Sequence, residues 1–467
     1  MKKLLILFLF ALIVIIWLAF ISIKASIITL AILILSLGLF YFAKMSKNWV
    51  LLCFVSFFVF TNLIGVPHAI INSESFQYSG WKAIKDFDFT YGYFVRVYSI
   101  AFMSVFLLIF FVYFLGKIKY FKVQRFDVFS LKLQLPTKNF KYQSFYYSLV
   151  IVFILILIVV VSVVGFQHQI GLSGVAPTKL PFKMVGILHF GRSLIAPFII
   201  LLLASRTNLN CLLRFFILVS GLLIGIFSGS RGTTLFYLLP LILDNWQKIS
   251  LKSILFKLSL MIAGFSIATA SQAIYTLSPG LNWYQQLNVL FEIGIDPYDS
   301  MQGSISEFVN QILGIVHRFY GFQDYVLAYQ YEGSVSIQNF FSFVFSGNPD
   351  YFVKDVTYIL YGLEFPEGSS FGVAMGLIGI SIANFNLNIL VLILLLAYIA
   401  LLIVFADKVL ISFQSFNELS HFFDIIYFVS SLVLSLILIS GRIDFFYLVI
   451  SSILALRFIY NLKLKFF

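Results

Sequence analysis

Long apolar runs alternate with short polar segments along the chain, and these runs predict its architecture. Most runs continue for about 17–24 residues, the length that a helix needs to cross a bilayer, whereas the strands of a membrane barrel alternate over about ten. Since only helices and closed barrels can span lipid, we predict an all-α polytopic membrane protein with about twelve transmembrane helices. The predicted spans are residues 4–23, 26–43, 49–66, 94–116, 145–165, 185–204, 212–228, 233–246, 254–276, 385–405, 425–440 and 443–460.

The composition agrees with a lipid bilayer as the surroundings of the chain. Hydrophobic residues make up 61% of the sequence and charged residues 11%, against about 25% charged residues in a typical soluble domain. The net charge of +12 lies largely in short loops beside helices, so it does not indicate nucleic-acid binding. Cys53 and Cys211 lie in or next to apolar runs, so the sequence predicts no disulfide framework. Neither the CxxC nor the HExxH spacing occurs, so the sequence predicts no metal site.

Basic residues determine the predicted orientation. The segment 117–143 carries Lys and Arg residues with a single acid, Asp127, so we predict that it is cytoplasmic. The same rule places both termini in the cytoplasm, because lysines flank the first and last predicted spans. Those lysines are Lys2, Lys3, Lys463 and Lys465.

One loop on the opposite, outer side is exceptional, because residues 277–368 lack a spanning run and are rich in acids. A long insertion of this kind is usually functional. Residues 369–384 are apolar, short and rich in glycine. As a thirteenth span they would place the C-terminal lysines outside, so we predict a re-entrant or interfacial helix. The predicted regions are an N-terminal membrane bundle of about nine helices (1–276), the large outer loop with this helix (277–384) and the C-terminal membrane helices (385–467).

Arg231 is the strongest candidate for chemistry. It lies in the turn Ser228-Gly229-Ser230-Arg231-Gly232 between two predicted helices, and the second helix is short. About 13 helical residues rise only about 20 Å, against about 30 Å of hydrocarbon, so either Arg231 is drawn below the outer surface or the bilayer thins there. A cation at that depth, with Ser230 and the N–H groups of the turn, suits a lipid-linked anion. The alternative is a snorkelling arginine that only anchors the helix.

Two further arginines open predicted helices on the outer face. Arg192 follows Gly191, and Arg442 follows Gly441. Helix ends at one membrane face are neighbours, so both could join Arg231 around one diphosphate as planar, bidentate donors. Taken alone, each is more often an interfacial anchor.

The outer loop offers His317 and Arg318 as catalytic candidates, because histidine is the usual general base near neutral pH. Paired carboxylates would indicate glycoside chemistry, but sequence does not determine their separation. The groups that compete for the role of base are His68, His168, His189, Glu292, Asp296 and Glu367.

On these residues the chain resembles O-antigen polymerases of the Wzy type and the related O-antigen ligases, which are GT-C-like membrane glycosyltransferases. The resemblance lies in the pattern of about twelve helices, in the large loop of the C-terminal half and in the turn SGSRGTT at Ser228–Thr234. The stretch from Glu367-Gly368-Ser369-Ser370 to Asn384-Phe385 is similar to the family's segment before the helix that follows the loop.

The resemblance implies an enzyme at the outer face of the bacterial cytoplasmic membrane. It would polymerise undecaprenyl-diphosphate-linked repeat units into O-antigen or capsule-type polysaccharide, without a metal or other cofactor. Carried over to this chain, Arg231 would bind the diphosphate, and His317 and Arg318 occupy a loop position like the catalytic pair of the ligases. The bilayer, a flippase and a chain-length regulator would be its partners.

Two other classes stay open beside a polymerase or ligase. A flippase or transporter of lipid-linked oligosaccharide often shows paired repeats and broken helices near the midplane, and the sequence has no evident repeat. A membrane acyltransferase would place a catalytic histidine beside a span, as His189 lies near Arg192.

Overall fold

The structure is a computed structural model, and it is built from helices wherever it describes the chain. The described residues are 23–71, 91–118, 141–168, 191–204, 209–228, 231–243, 337–346, 376–412 and 420–440, with shorter pieces at 170, 188–189, 256–257, 259–260, 263–264, 267, 284–285, 288, 325, 328–329, 443, 446–447, 449–451 and 453–454.

The longer described segments form α-helices. They are α1 (Ile23–Ser46), α2 (Trp49–Ile71), α3 (Tyr91–Leu115), α4 (Lys141–Gln167), α5 (Ala196–Ala204), α6 (Cys211–Ser228), α7 (Arg231–Leu243), α8 (Ile337–Ser346), α9 (Gly376–Leu387), α10 (Ile389–Ser412) and α11 (Ser420–Ser440). A π-helical turn, Gly191–Ile195, leads directly into α5.

Asparagines fix where three of the helices begin. The side chain of Asn48 accepts a hydrogen bond from the backbone N–H of Leu51 (2.9 Å), immediately before α2. Asn210 does the same before α6, for Leu213 at 2.8 Å, and Asn388 separates α9 from α10 and accepts from the first turn of α10. Each oxygen satisfies an N–H that has no partner within its helix. A polar residue just before an apolar run therefore sets the helix start.

The prediction of a helical membrane protein is confirmed. Within the described residues, five helices are long and apolar enough to cross a bilayer: Ser26–Ser46, Val95–Leu115, Phe145–Gln167, Cys211–Ser228 and Ile389–Ser412. The predicted spans at 49–66, 233–246 and 425–440 also fall on helices, namely α2, α7 and α11. The predicted first span, at 4–23, lies almost wholly outside the described residues, as does most of 254–276. The total of about twelve spans therefore stays a prediction.

Large apolar side chains cover the outer surface of the described helices. Phe145 and Phe153 on α4 are each 68% exposed, and Ile27 and Ile34 on α1 are each 61% exposed. Such a surface is unfavourable in water and ordinary against lipid chains. It supports a membrane location independently of helix length.

The first helix group combines helices from the N-terminal and C-terminal parts of the described chain. In it, α1, α2 and α3 pack with α9, α10 and α11 around one apolar core. Ser435 on α11 donates a hydrogen bond to the carbonyl oxygen of Val50 on α2, at 2.8 Å. The rings of Phe58 on α2 and Phe102 on α3 meet edge to face, with centroids 5.3 Å apart. Packing therefore groups helices that are far apart in sequence.

The second helix group contains α4, the π-helical turn, α5, α6 and α7. Its separate core includes Ile151 on α4, Ile217 on α6 and Tyr237 on α7. The two groups touch where Leu201 on α5 and Phe236 on α7 reach the core of the first. The second group carries Arg192 and Arg231, so it positions the candidate site.

Helix α9 lies inside the first helix group. It packs against α3, α10 and α11, and residues 377–384 are all buried. Its 12 residues rise only about 18 Å, too little to cross about 30 Å of hydrocarbon. An interfacial helix keeps one polar face in water. Residues 369–375 lie outside the described residues, so the re-entrant or interfacial helix at 369–384 stays a prediction.

Candidate functional site

Close packing between α6 and α7 holds the turn that carries Arg231. Gly225 on α6 faces Thr234 on α7, and a Cβ added to Gly225 would lie 2.5 Å from Oγ1 and 3.0 Å from Cγ2 of Thr234. Four residues earlier, a Cβ added to Gly221 would lie 2.9 Å from Cδ2 of Leu238. Two glycines at this spacing allow membrane helices to approach closely. Gly221 and Gly225 were not among the predicted site residues, although their four-residue spacing within an apolar run is visible in the sequence.

Arg231 is the first residue of α7, which begins shortly after α6 ends at Ser228. The first N–H groups of a helix have no partner within it and carry partial positive charge, so this helix start suits an anion. Ser228, Thr233 and Thr234 are buried on either side of the turn. The side chain of Arg231 and all of Ser230 lie outside the described residues.

Arg192 is buried, with 2% of its surface exposed, in the turn Gly191–Ile195. Its Nη2 donates a hydrogen bond to the carbonyl oxygen of Ile170 at 3.2 Å. The guanidinium lies against the last turn of α4, where a Cβ added to Gly165 would lie 2.9 Å from Nη1. Burying a charge is costly without such acceptors. The negative end of the α4 dipole also stabilises a cation at this position.

The Arg192 segment also contacts α7. Tyr237 is fully buried, and its hydroxyl donates a hydrogen bond to the backbone carbonyl oxygen of Arg192 at 2.6 Å. Tyr237 follows Arg231 by six residues, about 9 Å of helix rise. The rings of Phe166 on α4 and Phe227 on α6 meet edge to face at 5.9 Å. The ends of α4 and α6 and the Arg192 segment therefore come together beside α7.

These contacts give Arg192 a structural role. Its Nη2 donates to a backbone carbonyl of this chain, and its guanidinium fills the space beside Gly165. A guanidinium placed in this way positions the helix ends and adds a buried positive charge near the Arg231 turn. Direct binding of a diphosphate by Arg192 stays a prediction.

We expect Arg192→Gln to lower the thermal midpoint of the purified protein. The substitution removes a charged donor from a buried acceptor, and hydrogen bonds to charged groups contribute about 1.5–3 kcal/mol. Thermal unfolding in detergent measures the effect, and Arg214→Gln, at an exposed position of α6, is the matched control. If Arg192→Gln keeps the midpoint of the wild type but loses activity, Arg192 acts on the ligand and not on the fold.

The structure describes only some of the other predicted candidates. His317, Arg318 and Arg442 lie outside the described residues, so their roles stay predictions. The structure does place two of the competing histidines beside the Arg192 segment. His168 follows the end of α4, and the carbonyl oxygen of His189 accepts a hydrogen bond from Ser193 Oγ at 2.7 Å. Both histidine side chains are half-buried.

A buried acid lies outside the set of predicted site residues. Asp407 on α10 is 9% exposed and accepts a hydrogen bond from the hydroxyl of Tyr427 on α11. The neighbouring Phe428 packs edge to face on Trp49, at the start of α2. Ionisable residues within apolar segments are usually functional or paired. An acid in the run that continues past residue 405 was the available signal.

Comparisons with known proteins add no family to this picture. The chain matches no protein-family model, no curated protein and no solved structure.

Proposed function

We propose that the protein polymerises undecaprenyl-diphosphate-linked oligosaccharide repeat units into a surface polysaccharide of the O-antigen or capsule type. It acts as a glycosyltransferase at the outer face of the bacterial cytoplasmic membrane. About twelve helices span this membrane, and both termini are cytoplasmic. A flippase and a chain-length regulator work beside the enzyme.

The α6–α7 hairpin is the observation that carries the proposal. Close contact at Gly225 and Thr234 fixes the two helices, and α7 begins at Arg231. Arg231 therefore combines its charge with the N–H groups of a helix start, which is a favourable arrangement for a diphosphate. The buried charge of Arg192 in the adjacent turn makes the local potential more positive, because charges act more strongly where water is scarce.

In the proposed reaction, a hydroxyl of the acceptor sugar attacks the anomeric carbon of the donor chain. The bond from that carbon to the diphosphate oxygen breaks, and undecaprenyl diphosphate leaves with the electron pair. The proton of the attacking hydroxyl passes to a general base, for which His317 is the candidate in the outer loop. Since negative charge develops on the diphosphate, Arg231, Arg318 and Arg442 stabilise the transition state.

Deleting the gene in its native host tests the function. Lipid-linked and surface glycans are resolved on a gel, with and without complementation by the wild-type gene. A polymerase predicts loss of the long-chain ladder while single repeat units still reach the surface. Long chains that accumulate on lipid would indicate a ligase instead. Repeat units held at the cytoplasmic face would indicate a flippase and overturn the proposal.

A further inference from the structure

Helix α8 lies within the segment that the sequence predicts to be a hydrophilic outer loop, yet it is largely apolar. Its ten residues read IQNFFSFVFS. The described apolar side chains differ sharply in exposure. Phe340 is 8% exposed and belongs to the core of the first helix group, whereas Phe345 is 85% exposed. One side of α8 is therefore attached to the membrane helices, and another side is open.

Two tyrosines attach α8 to the first helix group. The ring of Phe340 meets the ring of Tyr398 on α10 edge to face, with centroids 6.4 Å apart. The hydroxyl of Tyr447 donates a hydrogen bond to the carbonyl oxygen of Val344 at 2.8 Å. The Tyr398 hydroxyl forms a hydrogen bond with the Tyr447 hydroxyl and lies 3.5 Å from the same carbonyl. Both side chains thus converge on one backbone oxygen of α8.

The position of Tyr398 along α10 gives the depth of this contact. Tyr398 lies between the two ends of α10, Ile389 and Ser412, about 14 Å of helix rise from the first and about 21 Å from the second. Because α10 is long and apolar enough to span a bilayer, its middle lies in the hydrocarbon, which is about 30 Å thick. A helix that packs at this level is inside the membrane and not above it.

The hydrogen bonds at Val344 agree with that depth. Helix α8 ends at Ser346, so the Val344 carbonyl lies in its last turn, where carbonyl oxygens take partners from outside the helix. In water such an oxygen is hydrated. In hydrocarbon it needs a donor from the protein, because each unsatisfied backbone group is costly there. The paired tyrosine hydroxyls supply that donor.

The open side of α8 carries an apolar stripe, beside which Gln338 is also exposed. Ile337, Phe341 and Phe345 follow one another at four-residue spacing and are 45%, 52% and 85% exposed, so they share one side of the helix. Helix α10, on which α8 packs, also presents exposed apolar side chains, among them Leu390 (51%) and Ile393 (41%). The stripe therefore adjoins a helix whose exposed surface is that of a membrane span.

We propose that α8 is embedded in the hydrocarbon layer of the membrane and that Ile337, Phe341 and Phe345 contact lipid acyl chains. The large outer loop is then not wholly aqueous, because its α8 segment enters the bilayer beside α10. The depth of Tyr398 and the tyrosine donors at Val344 specify lipid, and not a protein partner in solution, as the occupant of the stripe.

Spin-label accessibility tests this position in the full-length protein. Cys53 and Cys211 are the two cysteines of the chain, so Cys53→Ala with Cys211→Ala provides a cysteine-free background. Single cysteines are then introduced by Phe345→Cys and Phe341→Cys. Two reference sites are Phe153→Cys, 68% exposed on the span Phe145–Gln167, and Lys47→Cys, in the turn between α1 and α2. The labelled proteins are reconstituted in phosphatidylcholine liposomes.

Collisions with dissolved oxygen and with a water-soluble nickel chelate give the result. Labels at residues 345 and 341 are expected to match the label at residue 153, with strong oxygen relaxation and little nickel relaxation. Nickel relaxation equal to that at residue 47 would place α8 in water and overturn the proposal. Protection from both reagents would show that protein covers the stripe, which also overturns it. Gel filtration confirms that each variant is folded, and residues 345 and 341 serve as independent sites.

Discussion

Gly225→Ala is expected to destabilise the protein by about 1–3 kcal/mol, the usual range for added volume in a packed core. The new methyl group would lie 2.5 Å from Oγ1 of Thr234 and 3.3 Å from its Cβ. Thr234 is fully buried, and a β-branched side chain has few alternative rotamers in a helix. Relief therefore requires α6 and α7 to separate. Thermal unfolding in detergent measures the loss of stability.

Gly38→Ala is the matched control for this prediction. Gly38 lies within α1, and a Cβ added there would meet no atom within 4 Å. Alanine in a helix interior is favoured over glycine by about 1 kcal/mol, so the midpoint of Gly38→Ala is expected to stay or rise. An equal fall of the thermal midpoint in both variants would mean that any glycine-to-alanine change in these helices destabilises the protein, and that the Gly225–Thr234 contact has no special importance.

Apolar run length was enough to predict most of the described helices. The runs at 26–43, 94–116 and 145–165 correspond to α1, α3 and α4, whose observed ends lie within four residues of the predicted ones. The differences arise at the ends, where polar residues continue a helix past its apolar part. Asp407 is an example: the predicted span ends at residue 405, whereas α10 continues to Ser412.

Helix grouping could not be predicted, because it depends on contacts between distant segments. Ser435 and Val50 form a hydrogen bond across most of the chain, and no period or composition reports such a pair. Helix α8 was not predicted, for a different reason. Its 10 residues are too few for a spanning run, and a search for about 20 apolar residues passes over them.

The candidate site was predictable in its residue types and not in its geometry. Arginine beside glycine drew attention to Arg192, but the carbonyl of Ile170 and the space at Gly165 that accommodate it lie about 20–30 residues earlier. The contact between the Arg192 segment and α7 is made by Tyr237, a tyrosine within an apolar run, whose hydroxyl donates a hydrogen bond to the Arg192 carbonyl. Such a residue is more often a packing group than a site residue, so sequence alone had no reason to select it.

Arg231→Ala is expected to reduce chain elongation by about 100-fold or more, the effect of removing one preorganised donor from developing negative charge. The measurement is the glycan ladder of the deletion strain complemented with the variant. Arg214→Ala, at an exposed position of α6, should restore the ladder fully. Wild-type chain length from Arg231→Ala would remove Arg231 from the site and the proposed function would lose its main support.

Arg231→Lys separates charge from geometry at the same position. Lysine keeps the positive charge but lacks the planar pair of N–H donors that grips a phosphate in two places. If the diphosphate is held in that bidentate manner, Arg231→Lys should remain much closer to Arg231→Ala than to wild type. If Arg231→Lys instead restores long chains, a point charge is sufficient for chain elongation when it is added to the N–H groups at the start of α7. Thermal midpoints equal to wild type in both variants are required, because a loosened α6–α7 hairpin, as expected for Gly225→Ala, would also shorten the ladder without any change in the charge at residue 231.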